Sequence, residues 1–380
     1  MKKDWTYKKL IDVCGIQYGY PFDSKCFTDD NTHPGLIRIR DVVRGYTETF
    51  YKGEVPEEYF VQEGEYLIGM DGEFNIAPWR SEKALLNQRV CKLYSIDSDV
   101  AIRFVYYSML TILKEIEEET PFVTVKHLSA KRLNTVTIPV PPISIQESIV
   151  RELDAIHGIL EKKLEQLREL DNLAQAIFYE MFGDPITNPK QWEVKKLGEV
   201  GEIERGAGIS KKDFTEEGVP CIHYGQLHTS FGACTNKHLS KIPKDLIAKP
   251  RIAHTGDVIL AITSEDVEGS CKSTAWLGDY DVIVGSDAAI FHHNQNGLFI
   301  SYYTMTKAFY NEKAKYARGF KVTHISVSDL EQIPIYLPPL SLQQSFAAKI
   351  EALEAQKQAV QQSIREVEAL LAERMDYYFS

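Results

Sequence analysis

Catalytic signatures are missing from this 380-residue chain. It has no GxGxxG or GxxxxGK[ST] loop to cradle phosphates, no HExxH zinc helix and no GxSxG nucleophile elbow. The stretch GSCKST (269–274) has the Lys-Ser pair of a phosphate loop but lacks the glycine before it. The six cysteines (Cys14, Cys26, Cys91, Cys221, Cys234 and Cys271) form no CxxC pair. That argues against a zinc site or a disulfide framework and for a reducing compartment. His292-His293 and the pair His223, His228 have no carboxylate or thiol at a supporting spacing, and acidic runs such as Glu117 to Glu119 read as solvated faces. No apolar run reaches membrane length, and Met1-Lys2-Lys3 leads into Asp4 and a polar stretch rather than an apolar signal core. The expectation is a soluble, non-catalytic, metal-free chain that stays in the cytoplasm.

Positive charge is also in short supply, with a net charge of −11. A polyanion partner wants Lys and Arg, so the distribution matters more than the sum. Residues 1–136 carry 18 basic against 21 acidic groups, 137–186 carry 4 against 9, 187–335 carry 17 against 18, and 336–380 carry 4 against 6. The two short segments hold −7 of the −11, which leaves the large segments near neutral and open to nucleic acid.

The chain contains itself twice. Residues 124–182 recur without a gap as 321–379, matching Val125, His127, Ser129, Leu133, Ile138, Pro141, Pro142, Ser144, Gln146 and Ser148 with Val322, His324, Ser326, Leu330, Ile335, Pro338, Pro339, Ser341, Gln343 and Ser345. Upstream, Trp5, Lys8, Lys9, Leu10, Gly19, Phe27 and Thr28 answer Trp192, Lys195, Lys196, Leu197, Gly206, Phe214 and Thr215. A period this long means each copy is a domain plus its connector rather than a solenoid repeat.

After each Pro-Pro the spacing predicts a long helix with one apolar stripe. In the first copy the stripe includes Ile149, Leu153, Ile156, Leu160 and Leu167, with Lys163 as its polar interruption; in the second it runs Phe346, Ile350, Leu353, Val360, Ile364 and Val367, interrupted by Lys357. Such 4,3 spacing is a coiled-coil seam, and the partner at hand is the other copy. A lysine in a seam lowers stability while fixing register, so leucine at 163 and 357 is expected to raise the melting temperature. Gly183-Asp184-Pro185 ends the first helix. The preceding segments hold short β-rich runs, GLIRIRDVV (35–43), GEYLIGMDG (64–72), GDVILAITS (256–264) and YDVIVGSDAAIF (280–291), and helix-like aromatic stretches IRFVYYSMLTIL and FISYYTMTKAFY. The fold class is α+β: two similar mixed domains, each followed by a long helix, the two helices pairing with each other. The expected segments are 1–140, 141–186, 187–336 and 337–380.

Glycine-punctuated polar loops fall at matching places. Tyr18, Gly19, Tyr20 and Lys25 correspond to Arg205, Gly206, Ser210, Lys211 and Lys212; Arg38 and Arg40, read as strand, to His223, Tyr224 and Gln226; Asp71 to Ser264. Gln88, Arg89 and Lys272 complete the candidates for contact with a nucleic acid. Lysines suit phosphates, Arg and Gln suit base edges, and glycine admits a close ligand. Singly each loop is an ordinary turn; recurrence with changed side chains suits one scaffold that reads two sequences.

The segments HLSAKRLNTVTIPVPPISIQESIV (127–150), HISVSDLEQIPIYLPPLSLQQSFA (324–347) and EMFGDPITNPKQWEVKKLGEV (180–200) resemble the specificity subunits of type I restriction-modification systems. Phe346 departs from the Ile of the family's junction. The resemblance implies two target recognition domains that bind a split double-stranded DNA sequence. It also implies that the two helices pair antiparallel with pseudo-twofold symmetry as a spacer that docks two methyltransferase subunits, which use S-adenosylmethionine to methylate adenine, and restriction subunits that use ATP and magnesium. The chain itself holds no cofactor in that family. An assembly scaffold with repurposed domains that bind protein or RNA is the alternative.

Overall fold

The computed structural model describes residues 5–120, 126–319 and 322–380. Met1 to Asp4 and the repeat's Val125 lie outside them. Two compact units form: one from residues 1–164 and 362–380, the other from 165–361.

The duplication is written into the pairing of strands. In the first unit Thr6–Lys9 pairs antiparallel with Thr137–Val140, Thr6 opposite Val140; in the second Glu193–Lys196 pairs with Pro334–Leu337, Glu193 opposite Leu337. Tyr18 lies opposite Cys91, and Arg205 opposite Ala289. Around these pairs the first unit builds an antiparallel four-stranded sheet of Cys14–Tyr18, Val90–Ser95, Tyr66–Gly69 and Asn75–Pro78, beside a five-stranded mixed sheet in which Gly35–Ile37 runs parallel to Ala84–Leu86. The second unit has five strands in the corresponding sheet and four in the other, with Val219–Ile222 parallel to Val282–Val284.

One β-rich run and one helix-like stretch differ from the sequence reading. GLIRIRDVV stops as strand at Ile37, and residues Ile39–Arg44 form a helix. The buried Asp41 carboxylate accepts the Arg38 N–H at 2.8 Å, closing the helix start as an N3 acidic residue does. Its counterpart Gln226 does the same for the His223 N–H at 2.9 Å and opens the helix Tyr224–Thr229. The aromatic stretch of the first half is one helix, Ile102–Glu119, whereas that of the second breaks into Gly297–Thr304 and Lys307–Lys313, with the Thr306 hydroxyl capping Phe309 N–H.

Both long helices span 40 residues, Ile143–Phe182 and Leu340–Phe379, and each contributes one half to each unit. In the first unit Phe379 meets Phe104 with ring centroids 5.4 Å apart, and Ile149 and Leu153 share a cluster with Leu371 and Met375. In the second unit Phe182 meets Phe299 at 4.9 Å and Phe346 at 5.2 Å. The end of one helix thus packs beside the start of the other in both units, which is antiparallel pairing. Each fully buried phenylalanine contributes roughly 1.5–3 kcal/mol. Along the stripes Ile149, Leu153, Ile156, Phe346, Ile350, Leu353, Val360 and Ile364 are buried, while Leu160, Leu167 and Val367 are half-buried.

Lys357 corrects the expectation for the seam lysines. Its ammonium, 12% exposed, sits 2.7 Å from both Asp171 and Glu354, and Glu354 also accepts the Tyr302 hydroxyl at 3.1 Å. Burial works against the charge, but the bonds to Asp171 and Glu354 outweigh it and hold the Lys357 pKa above the ordinary lysine value. Leucine at 357 strands a carboxylate only 14% exposed. The expected cost is about 2–3 kcal/mol, a fall of roughly 5–10 °C in the melting temperature of that unit by calorimetry. Lys163 is half-buried with no acid partner among the described residues, so Lys163→Leu moves the transition far less.

Candidate nucleic-acid interface

At one end of each domain a glycine loop, a turn between strands and the repeated histidine come together. Gly19 N–H donates to Val90 O (3.0 Å) and Gly206 N–H to Ala288 O (2.9 Å); the next residues, Tyr20 and Ala207, bond to Leu86 O and Val284 O. A Cβ on Gly19 would lie 2.0 Å from Asn87 O, and one on Gly206 would lie 2.1 Å from Gly285 O. These glycines therefore admit the protein's own backbone rather than a ligand, which corrects the sequence reading of them.

The repeated histidine closes the same corner in both copies. Met70 N–H donates to Arg89 O and Ile262 N–H to Asp287 O, so Arg89 and Asp287 are equivalent. Asp71 bridges to His127 as Thr263 pairs with His324, which makes Thr263, one residue earlier than the sequence alignment gave, the partner of Asp71. In the first domain the Asp71 carboxylate lies 2.5 Å from His127 Nδ1 and 3.0 Å from the Arg89 guanidinium. In the second the Thr263 hydroxyl reaches His324 Nδ1 (3.2 Å) and donates to Asp287 (3.2 Å), and Arg205 stands 4.0 Å from Asp287 while donating to Ser286 O at 2.8 Å. The frame is kept and the side chains on it are exchanged.

Of the remaining first-domain candidates, Tyr20 is exposed, its ring 5.0 Å from Phe22 and 5.1 Å from Tyr59, and exposed Gln88 donates its N–H to Tyr20 O. Tyr18 packs against the core with its hydroxyl buried and unbonded, so it does not belong to the exposed surface. Lys25 is exposed on the turn Ser24–Cys26, and Arg38 and Arg40 are exposed at the start of Ile39–Arg44.

In the second domain Lys211, His223, Tyr224, Gln226, Ser264 and Lys272 line one cleft of about 1010 Å³. His223 Nδ1 accepts the Gly225 N–H at 3.1 Å, which leaves the ring proton on Nε2, and burial keeps its pKa below the ordinary histidine value. Gln226 spends both ends of its amide internally, its oxygen on His223 N–H and its nitrogen on the Ser240 hydroxyl (2.8 Å). Lys272 donates to His228 O at 2.8 Å. Ser210 accepts the Lys212 N–H at 3.3 Å within the turn Lys211–Asp213, and Lys212 is exposed. The sequence reading missed Lys313, which lines the cleft while 5% exposed, and Asp287; with Lys307, Asn311 and Glu312 in the same short helix, nothing in the sequence singled out Lys313.

Among the described residues no group of three or more His, Cys, Asp or Glu is placed to hold a metal ion, and no helix is long and apolar enough to cross a membrane. Burial pushes the Cys14, Cys91, Cys234 and Cys271 thiols up to about 12, so they stay protonated and unreactive.

Comparison with known proteins matches this duplicated frame. The model of the type I restriction modification DNA specificity domain fits twice, over residues 2–169 and 189–369. The chain belongs to that family and is a non-catalytic specificity subunit that recognises a DNA target. It is 27% identical over 399 residues to the specificity subunit of the EcoBI type I restriction enzyme of Escherichia coli, covering 95% of this chain and 81% of that protein. It is 23% identical to the MjaVIII specificity subunit of Methanocaldococcus jannaschii, over 78% of this chain and 74% of that one. The fold is shared with the type I S subunit of M. genitalium, at a TM-score of 0.56 and 12% identity over 98% of this chain and 95% of that one. It is shared too with a chain from a study of complex assembly in the type I R-M system, at 0.51 and 17% identity over 99% and 98%.

Proposed function

We propose that each domain reads one half of a bipartite duplex target through the corner built on its glycine loop and repeated histidine. The two domains hold equivalent backbone positions, yet Tyr20, Asp71 and Arg89 in one stand where Ala207, Thr263 and Asp287 stand in the other. Exchange of side chains on a constant frame is what reading two unlike half-sites requires. The domains are taken as residues 1–140 and 187–336, and the chain docks two methyltransferase subunits, with restriction subunits where the system cuts. S-adenosylmethionine, ATP and magnesium belong to those subunits, and the complex works in the cytoplasm.

Lys25, Lys211 and Lys212 are assigned to phosphates. Alanine at any of them weakens binding alike for all sequences and flattens its salt dependence by about one counterion. Arg40, Gln88 and Arg205 are assigned to base edges, where alanine costs about 1–3 kcal/mol and relaxes one position of the target. Gln226, its amide already engaged, acts through the helix it caps. Electrophoretic titration against single-base variants of the site found by adenine-methylation mapping decides this. A uniform loss from every substitution refutes the division into readers and anchors.

A further inference from the structure

In each domain, the loop that leaves the corner is held at its base by an ionisable side chain from the helical region that follows it in the chain, and the two side chains have opposite charge. In the first domain the loop joins Tyr66–Gly69 to Asn75–Pro78. Glu117, near the end of helix Ile102–Glu119, accepts the Phe74 N–H at 3.0 Å, and Lys126 backs it by donating to Glu117 O at 2.7 Å. In the second domain the longer loop 265–272 leads into Ser273–Trp276. Lys313, the last residue of its helix, donates to Glu268 O at 2.8 Å and to Ser270 O at 2.5 Å. The loops occupy equivalent places, because each begins just past the residues paired near His127 and His324.

Burying an ammonium costs several kcal/mol unless it is well bonded, and methionine would fill the same space without that cost. Burial indeed pushes the Lys313 pKa down. What the charge provides is two carbonyls of one loop, in an arrangement available only while the loop keeps this shape. The loop is also braced from within: Asp266 accepts the Gly269 N–H at 2.7 Å, the Ser270 hydroxyl donates to Val267 O, and Cys271 takes a left-handed φ of 58°. Glu265, Glu268 and Lys272 of this loop line the cleft.

We propose that Glu117 and Lys313 are positioning residues, each holding the reading loop of its own domain in the shape that meets its half-site; the inference rests on the recognition reading above. The full chain, co-expressed with its methyltransferase subunits, is assayed by adenine-methylation mapping and then by titration of duplexes carrying the mapped site. Lys313→Ala is expected to weaken binding at least tenfold and to relax base choice in the second half-site alone, with Lys313→Arg restoring both. Glu117→Ala is expected to do the same in the first half-site alone, with Glu117→Gln, which keeps an acceptor for Phe74 N–H, restoring it. Circular dichroism identifies folded variants, and if Lys313→Ala does not fold the Glu117 pair carries the test. Equal losses at both half-sites, an unchanged target in folded alanine variants, or no rescue by the conservative replacements overturns the proposal. Absence of sequence-selective binding by the unmodified complex instead removes the recognition reading beneath it.

Discussion

Replacing Gln343 with alanine is expected to lower the melting temperature of the second unit by roughly 8–15 °C. The side chain is fully buried and uses its whole amide. Its oxygen accepts the Asn296 N–H at 3.0 Å, and its nitrogen donates to Pro338 O and to the Gln295 side chain, both at 2.8 Å. Alanine leaves the buried Pro338 O and the half-buried Asn296 and Gln295 groups without this bond and opens a void, a combined cost of about 3–5 kcal/mol. Gln146 makes the matching set, accepting Ala101 N–H at 2.9 Å and donating to Asp99 O and Pro141 O, so Gln146→Ala acts alike on the first unit. Differential calorimetry of the two variants reads the transitions separately. Shifts under about 2 °C in both would show that these glutamines do not join helix to domain.

Acidification from pH 7 to pH 4 is expected to destabilise the second unit by about 3 kcal/mol through His293 alone. Both ring nitrogens are buried without a partner, and the ring packs 4.9 Å from Phe291. Burial lowers its pKa from 6.5 to about 4. In the unfolded chain the imidazole takes up a proton near 6.5, while in the folded chain it resists until about 4. The stabilisation is therefore whole above the unfolded value and drains away as pH falls through that window. Phenylalanine at 293 keeps the packing and removes the titration, so its denaturation midpoint in urea should fall less with acid than that of the parent. Parallel pH profiles for the two proteins would sink the assignment. At the equivalent strand position the first unit has Ser95, whose hydroxyl lies 2.9 Å from both Asp97 O and Val100 O, so this particular titration belongs to the second unit.

The long-range plan was legible because the repeat is ungapped where it matters: the two helices begin and end 197 residues apart, as the motif does. What periodicity could not deliver was the switch at Arg38. Leu36, Ile37 and Ile39 continue a strand-like apolar run, but the decision belongs to Asp41, whose carboxylate three residues on offers Arg38 N–H a bond that a strand would not. Lys357 was unreadable for a different reason, since Asp171 lies on the other helix and sequence distance says nothing about which acid faces a seam. The candidate site was visible as a set of loops but not as an arrangement. Tyr18 and Gln226 have the right chemistry for contact, yet one is turned inward and the other is consumed by its own fold.

The buried glutamines have a consequence for how such a chain diversifies. Gln146 touches only main-chain atoms of the domain it secures, and Gln343 touches main chain at two of its three bonds. A coupling that grips peptide groups is blind to the identity of the residues that carry them. A recognition domain can accumulate substitutions, or be exchanged for a distant relative, and still seat on its helix so long as the backbone turns into its helical region the same way. Sequence choice is thereby left free to vary over a mechanical joint that does not have to vary with it.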